Sequence, residues 1–312
     1  SAIIRYRNNR WKRDWPLKRH YKKLRKEFVQ AIDEAGASCV DWNRRYLIYR
    51  NIASLGVDVS EILARSGYDS AKKTICFHLR SGEYRPVFDQ HDERDIDKAR
   101  VVDASTYDES MASLISEGFQ VVLIGDPSMT SKPVEGVIDT RLLHDHFRLR
   151  CQMTILSRCQ LFVATESGPS EFGKLFGIPC IHTNIISLRH NYPLKANDRA
   201  LPQHLLDPNG RKVFFISRVG DSRSVRRLLK AGYSHQRLTS REIRDGIFEC
   251  IKDKAITSLQ RLVRRKFNQL YYSDGSDVIG LGFISSSYLE KNWNNRDEPQ
   301  ADIVFTRTRG GS

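Results

Sequence analysis

The sequence predicts an α/β protein: a doubly wound parallel sheet with a helical N-terminal cap and a long C-terminal helix. Three observations carry this. Residues 119–124 (F-Q-V-V-L-I) and 161–165 (L-F-V-A-T) are almost wholly apolar runs of strand length, as strands buried on both faces are. Amphipathic stretches of helical period separate the apolar runs. Strand and helix alternate over 72–185, the spacing of right-handed βαβ crossovers in a parallel sheet.

The first 26 residues carry eleven Lys or Arg against one acid, Asp14, with Tyr6, Trp11, Trp15 and Tyr21 interleaved. That mixture suits a membrane interface, a nucleic-acid backbone or a solvated arm. From Tyr21 the period is helical through Leu24, Phe28, Ile32 and Ala35, and Gly36 ends it. Two more helical stretches fall at 42–55 and 59–65. Residues 1–71 therefore read as a basic helical segment.

Residues 74–79 form the first strand, and a charge-dense stretch follows from Arg80 to Asp103. Ser105 with Asp108 suggests a helix cap, and Gly118 ends that helix. The strand at 119–124 runs into a Gly125-Asp126-Pro127 turn. A loop with Pro133 and Gly136 leads to residues 137–139. A helix of about 18 residues then reaches Ser157, with Leu142, Leu143, Phe147, Met153 and Leu156 inward. After the strand at 161–165, Gly168-Pro169 opens a short helix closed by Gly177, and 178–183 is the next strand. Residues 72–238 are read as one doubly wound, Rossmann-like domain, with 214–216 an extra strand. Thr239 with Glu242 is a capping box that starts a long helix to about Leu270. Residues 239–293 make a C-terminal helical segment, and 294–312 a mobile polar tail.

Composition narrows the function classes. Lys and Arg number 51 against 37 acids, a net charge of +14, which favours an anionic partner. No run of about 18 apolar residues occurs, so no membrane-spanning helix is expected. The six cysteines lack a C-x-x-C pair and sit mostly in apolar segments, as core residues of a reduced compartment. His144 and His146 share a side only if extended, and no metal motif surrounds them. Asp95-Ile96-Asp97 lies in a polar stretch instead of after a strand, so no metal site is expected. Gly280-Leu281-Gly282 lacks a strand-turn-helix context, and neither G-x-x-x-x-G-K-[ST] nor G-x-S-x-G occurs. No signal peptide is present, and the Ser-Ala start without Met suggests a trimmed terminus, with an anchor or further domain upstream. The expected location is cytoplasmic, with a peripheral hold on the inner membrane face.

Ligands of an open parallel sheet bind outside the carboxyl ends of its strands. Three such ends carry polar or Gly-rich groups: His78-Leu79-Arg80, Gly125-Asp126-Pro127 and Glu166-Ser167-Gly168-Pro169-Ser170. They are expected side by side. Pro169 suits a first helical position and Gly168 permits close approach. The N–H groups of Ser170, Glu171 and Phe172 and the hydroxyls of Ser167 and Ser170 are expected to face a phosphate. A guanidinium at Arg80 can fork onto a diphosphate. His78 points to the same side as Arg80, either to a ligand or to lock the strand end. Asn184, at the end of the next strand, completes the donor-binding set with Gly125 and Glu166.

At these residues the chain resembles a bacterial glycosyltransferase family with a GT-B-like sugar-nucleotide-binding half. The shared marks are Cys76-Phe77-His78-Leu79-Arg80, Val121 to Gly125, and Ser167-Gly168-Pro169 through Phe172, Phe176 and Pro179. More distantly, H-x-R is similar to the α1,6- and protein O-fucosyltransferases, and the S-G-P turn to lipopolysaccharide heptosyltransferases. Here Ser81-Gly82-Glu83-Tyr84 follows H-x-R where fucosyltransferases continue with Arg or Thr-Asp. The resemblance implies a Rossmann-like, GT-B-type fold and inverting sugar transfer. It also implies a GDP- or UDP-linked donor with no other cofactor. The acceptor, a glycan, lipid or protein, would belong to bacterial surface-glycan or glycoprotein synthesis. Arg80 would hold the diphosphate, and Glu83, Asp89 and Asp126 are the candidate bases. Only 71 residues precede the first strand, so an acceptor half is reduced to helices, supplied by the C-terminal segment, or cut away. The alternatives are a sugar-nucleotide 2-epimerase and a non-enzymatic nucleic-acid-binding protein.

Overall fold

The computed structural model describes residues 59–80, 98–129, 133–186, 197–213, 222–252, 254–271 and 282–293. The expectations for 1–58, for a strand at 214–216, for the tail, and for Glu83, Asp89, Asp95 and Asp97 lie outside the described residues.

The chain runs α1 (Ser60–Arg65), β1 (Thr74–His78), α2 (Asp108–Ser116), β2 (Gln120–Leu123) and β3 (Ile138–Asp139). It continues through α3 (Asp145–Leu156), β4 (Leu161–Thr165), α4 (Ser170–Leu175), β5 (Cys180–Ile185) and β6 (Arg199–Pro202). Then come β7 (His204–Leu206), β8 (Lys212–Val213), α5 (Ser222–Lys230), β9 (Ser234–Gln236) and α6 (Ser240–Ile251). Last are α7 (Ser258–Tyr271), β10 (Phe283–Ile284) and α8 (Ser286–Asn292).

Seven strands form one parallel sheet in the order β10-β6-β5-β4-β1-β2-β3. From β1 the chain winds out to β2 and β3, then returns across β1 to β4 and winds the other way. This is a doubly wound, Rossmann-like α/β sheet, and its topological switch lies between β1 and β4. A separate antiparallel sheet, β8-β7-β9, follows β6.

Alternation along the strands builds two cores. Ile75, Phe77, Val121, Leu123 and Val163 face a layer with Leu114 of α2, Val225 of α5, Ile243 and Ile247 of α6, and Leu289 of α8. Cys76, Val122, Phe162, Ala164 and Cys180 face Leu63 of α1, Cys151 and Ile155 of α3, and Phe176. Helices thus cover both faces, which is why the strands read as unbroken apolar runs. The buried Cys76, Cys151, Cys159 and Cys180 belong to this packing.

Four details bear on the expected elements. The long C-terminal helix is two helices, α6 and α7. A second capping box divides them: Thr257 N–H donates to Gln260 Oε1 at 2.9 Å, and Gln260 N–H to Thr257 Oγ1 at 3.1 Å. The helix ending near Ser157 is shorter than expected, because residues 140–142 form a 3-10 turn and Leu143 is extended (φ −64°, ψ 149°). Leu142 is consequently 77% exposed instead of inward. Ser105 does not cap α2, which has no side-chain cap; a 3-10 turn over Ala104–Tyr107 precedes it, and Asp103 caps that turn, its Oδ1 accepting from the Ser105 N–H at 3.0 Å. The capping box of Thr239 and Glu242 is present as expected.

Candidate functional site

β1 lies between β2 and β4, so the three predicted turns do stand side by side at the carboxyl edge. The ends of β1 and β4 are tied by a side chain the sequence reading passed over. Thr165 Oγ1 accepts the Arg80 main-chain N–H at 2.8 Å and reaches the His78 carbonyl at 3.4 Å. As the strands diverge at the switch, this hydroxyl stands in for the next rung of the ladder. A threonine closing an otherwise apolar strand was the available signal.

His78 is fully buried. Its Nδ1 lies 3.1 Å from Ser167 Oγ, which also bonds the Thr165 carbonyl at 3.2 Å. Burial, and next the charge of Arg80, push the His78 pKa down to about 4, so the ring is neutral near pH 7. Arg80 is half-buried, and its charge acts on the His78 ring. Gly125 abuts the same ring: a Cβ there would lie 3.6 Å from His78 Cδ2. Its φ of +141° is one that side-chain-bearing residues rarely adopt. Gln152 of α3 fixes the Gly125 turn by donating to its carbonyl at 2.9 Å. His78, Gly125 and Ser167 therefore meet, and Arg80 follows His78 at the same strand end.

The turn at 167–170 is placed by Gly173. A Cβ at that position would meet Cys180 Sγ at 2.4 Å and Phe162 Cδ1 at 2.6 Å, so only glycine lets α4 lie this close to β4 and β5. Gly168 is exposed, and a Cβ there would meet nothing within 4 Å, so the space above the turn is open to a ligand.

Other expected contacts are engaged within the protein. Ser170 donates its N–H and its hydroxyl to the Ser167 carbonyl, at 3.1 and 2.6 Å. The Phe172 N–H donates to the Pro169 carbonyl at 3.1 Å. These donors close the turn on itself, which corrects their reading as phosphate contacts. Glu166 is buried, with Oε1 3.0 Å from Arg100 and Oε2 accepting from the Ile186 N–H at 2.8 Å. Asn184 (φ 54°) has its side chain consumed by Tyr107 Oη at 2.9 Å and the Leu238 N–H at 3.0 Å. Its left-handed backbone accompanies the shift of register between β5 and β6. Glu166 and Asn184 thus shape the strand ends from within. Asp126 is partly buried, and its Oδ1 accepts from the Ser128 N–H at 3.0 Å and the Ser128 hydroxyl at 2.7 Å.

Among the described residues no group of three or more His, Cys, Asp or Glu is arranged to hold a metal ion, and no helix is long and apolar enough to cross a membrane. No family model matches the chain, and no curated protein is significantly similar to it. Solved structures with a similar fold include a glycosyl transferase family 9 protein from Veillonella parvula, at 15% identity and a TM-score of 0.41. That match covers 66% of this chain and 52% of the other, so the chain spans about half the length of that protein. The E. coli ADP-heptose lipopolysaccharide heptosyltransferase II is also similar, at 18% identity and a TM-score of 0.29, over 41% of this chain and 38% of that one.

Proposed function

We propose that the chain is a GT-B-like, metal-independent glycosyltransferase that binds a nucleoside-diphosphate sugar at the β1/β4 switch. The supporting observation is the cluster of His78, Gly125 and Ser167 with Arg80 next at the same strand end, and the β1 and β4 ends tied by Thr165. An arginine at the end of β1, on the strand next to the one that runs into the open Gly168 turn, suits a diphosphate.

In the reaction an acceptor hydroxyl attacks the anomeric carbon and inverts it. The bond from that carbon to the diphosphate oxygen breaks, and the electron pair leaves with the nucleoside diphosphate. Arg80 stabilises the charge that builds there; one such preorganised donor contributes on the order of 3 kcal/mol. The proton of the acceptor hydroxyl passes to a carboxylate. Asp126 keeps Oδ2 for that task, and Glu83 and Asp89 remain candidates from sequence. A glycan, lipid or protein of bacterial surface assembly is the acceptor class proposed. The net charge of +14 supports a hold on anionic lipid at the inner membrane face.

Thermal shift with UDP, GDP and their sugar conjugates tests the reading. Binding should raise the Tm in proportion to occupancy, and Arg80→Ala should abolish the rise. Isomerisation of a free sugar nucleotide without acceptor would point to an epimerase. Salt-steep polynucleotide binding with no nucleotide stabilisation would leave only the basic surface as the functional feature.

A further inference from the structure

Resting on the membrane hold of that reading and not on its donor, we propose that the outer face of α5 is the surface that meets anionic lipid headgroups.

The helix has two distinct faces. Val225 and Leu228 are buried in the core, and Leu229 packs against it. Positions 223, 226, 227 and 230 fall on the opposite side, three, four and seven apart, and all four are Arg or Lys. Residues 222–241 carry six Lys or Arg and no acid. Like charges at this spacing repel along a helix, and no carboxylate on α5 offsets them. An external anion relieves that repulsion. Arg227 and Lys230 are exposed, and Arg226 is half-buried. Arg226 and Lys230 have no ion pair among the described residues. The Arg226 Nε is buried with no hydrogen-bond partner among them. That part of the guanidinium has already given up water without gaining an acceptor, which eases the approach of a phosphate to the rest of the fork.

The face suits headgroups better than an apolar or base-stacking partner. Among the described residues the large hydrophobics that stand exposed are Leu142 and Leu149, both outside this helix. The one Phe, Tyr or Trp of 222–241 is Tyr233, which is half-buried against the core and so is not presented for a base to stack on. A second copy of the same face would set cation against cation. A lipid surface offers a flat array of phosphates, and Lys and Arg clustered on an amphipathic helix are drawn to it. The face is also fastened to the edge that carries the candidate site. Gly232 (φ +83°) turns the chain from α5 into β9, and the Leu238 N–H beyond β9 donates to Asn184 Oδ1 at 3.0 Å. Asn184 belongs to β5, the neighbour of the strand that runs into the 167–170 turn.

Flotation of the intact chain with vesicles tests this. It should bind mixed phosphatidylglycerol and phosphatidylcholine vesicles, bind phosphatidylcholine alone far less, and be released as salt screens the charges. In Arg226→Gln/Lys230→Gln, where glutamine keeps helix propensity, the partition coefficient should fall about fivefold for each cation, roughly twenty-five-fold in all. Lys72→Gln/Lys73→Gln removes the same charge from two exposed lysines ahead of β1 and should lower it less than about threefold. Equal losses in the two variants, or no vesicle binding by the intact chain, overturn the proposal. So does binding of RNA or duplex DNA that the α5 variant abolishes while its vesicle binding stays. The Tm rise with UDP or GDP should be the same in the α5 variant as in the unaltered chain. Its loss there places these cations at the nucleotide and also overturns the proposal. A chain that floats through α5 yet never responds to UDP or GDP loses the donor assignment and keeps this one.

Discussion

Thr165 Oγ1 accepts the Arg80 main-chain N–H at 2.8 Å, so the last side chain of β4 fixes where β1 releases its cation. This bond sets Arg80 in register with the turn at 167–170. Thr165→Val keeps the shape and removes the hydroxyl. The Arg80 N–H then lacks its acceptor in a partly buried place, which costs about 1–3 kcal/mol. Urea unfolding should show that loss. Nucleoside-diphosphate affinity should fall with it, by more than in a core variant of equal destabilisation such as Ile155→Val.

The two central strands depend on rings buried on opposite faces. Phe77 and Phe162 are both wholly inaccessible, one in each core. Replacing either by Ala removes a large apolar surface and leaves a cavity, at about 3–5 kcal/mol each. They sit on neighbouring strands but on different faces, so the double variant should lose close to the sum. Chemical denaturation with a double-mutant cycle measures the coupling, and a large coupling energy would contradict two separate cores.

Acid should weaken the fold in two steps. His78 has its pKa pushed down to about 4 by burial, and next by the Arg80 charge. Between its ordinary value of 6.5 and about 4, the unfolded chain binds a proton that the folded chain refuses. Stability therefore falls as pH drops through that window, by on the order of 3 kcal/mol in all. Burial of Glu242 acts to raise its pKa, but bonds from His204 and the Thr239 cap outweigh it and bring it to about 2. Its contribution is present above about 4.5, the ordinary value, and is lost as pH falls towards 2. Unfolding midpoints at pH 7, 5 and 3 should separate the steps. His78→Gln should remove the first drop and keep the second.

What the sequence disclosed follows from burial. β1, β2, β4 and β5 are covered on both faces, so their apolar runs stood out. The carboxyl-edge cluster was legible with them, because strand ends fix where polar turns converge. β3 and β10 contribute only two residues each at the sheet margins, too few for a periodic signal. β6 carries no apolar strand pattern because it contains Arg199 and Pro202. Arg199 is tolerated there because its Nε lies 3.4 Å from the buried Glu249, which also accepts from the Ser285 hydroxyl at 2.6 Å. That partner is 50 residues away in sequence, beyond the reach of local pattern. The same holds for Asn184, whose ring-end partner, Tyr107, is 77 residues upstream. Read alone it suggested a ligand contact, whereas it completes a buried network. The break between α6 and α7 was different: T-x-x-Q at 257–260 was visible in the sequence and marked a helix start.

Two glycines of the same turn region separate stability from ligand binding. Gly173 faces Cys180 Sγ and Phe162 Cδ1, and a methyl there would collide with both. Gly173→Ala should force α4 off the sheet and cost about 1–3 kcal/mol, with nucleotide affinity falling as the 167–170 turn moves. Gly168 meets nothing within 4 Å and has an ordinary backbone, so Gly168→Ala should leave unfolding free energy within about 0.5 kcal/mol. If the open space above Gly168 receives the diphosphate, that added methyl intrudes on the ligand alone. The Tm rise given by UDP or GDP should then shrink in Gly168→Ala although the free protein is as stable as before. An unchanged rise would place the phosphates elsewhere along the β1/β4 edge, because no other property of residue 168 could hide a clash.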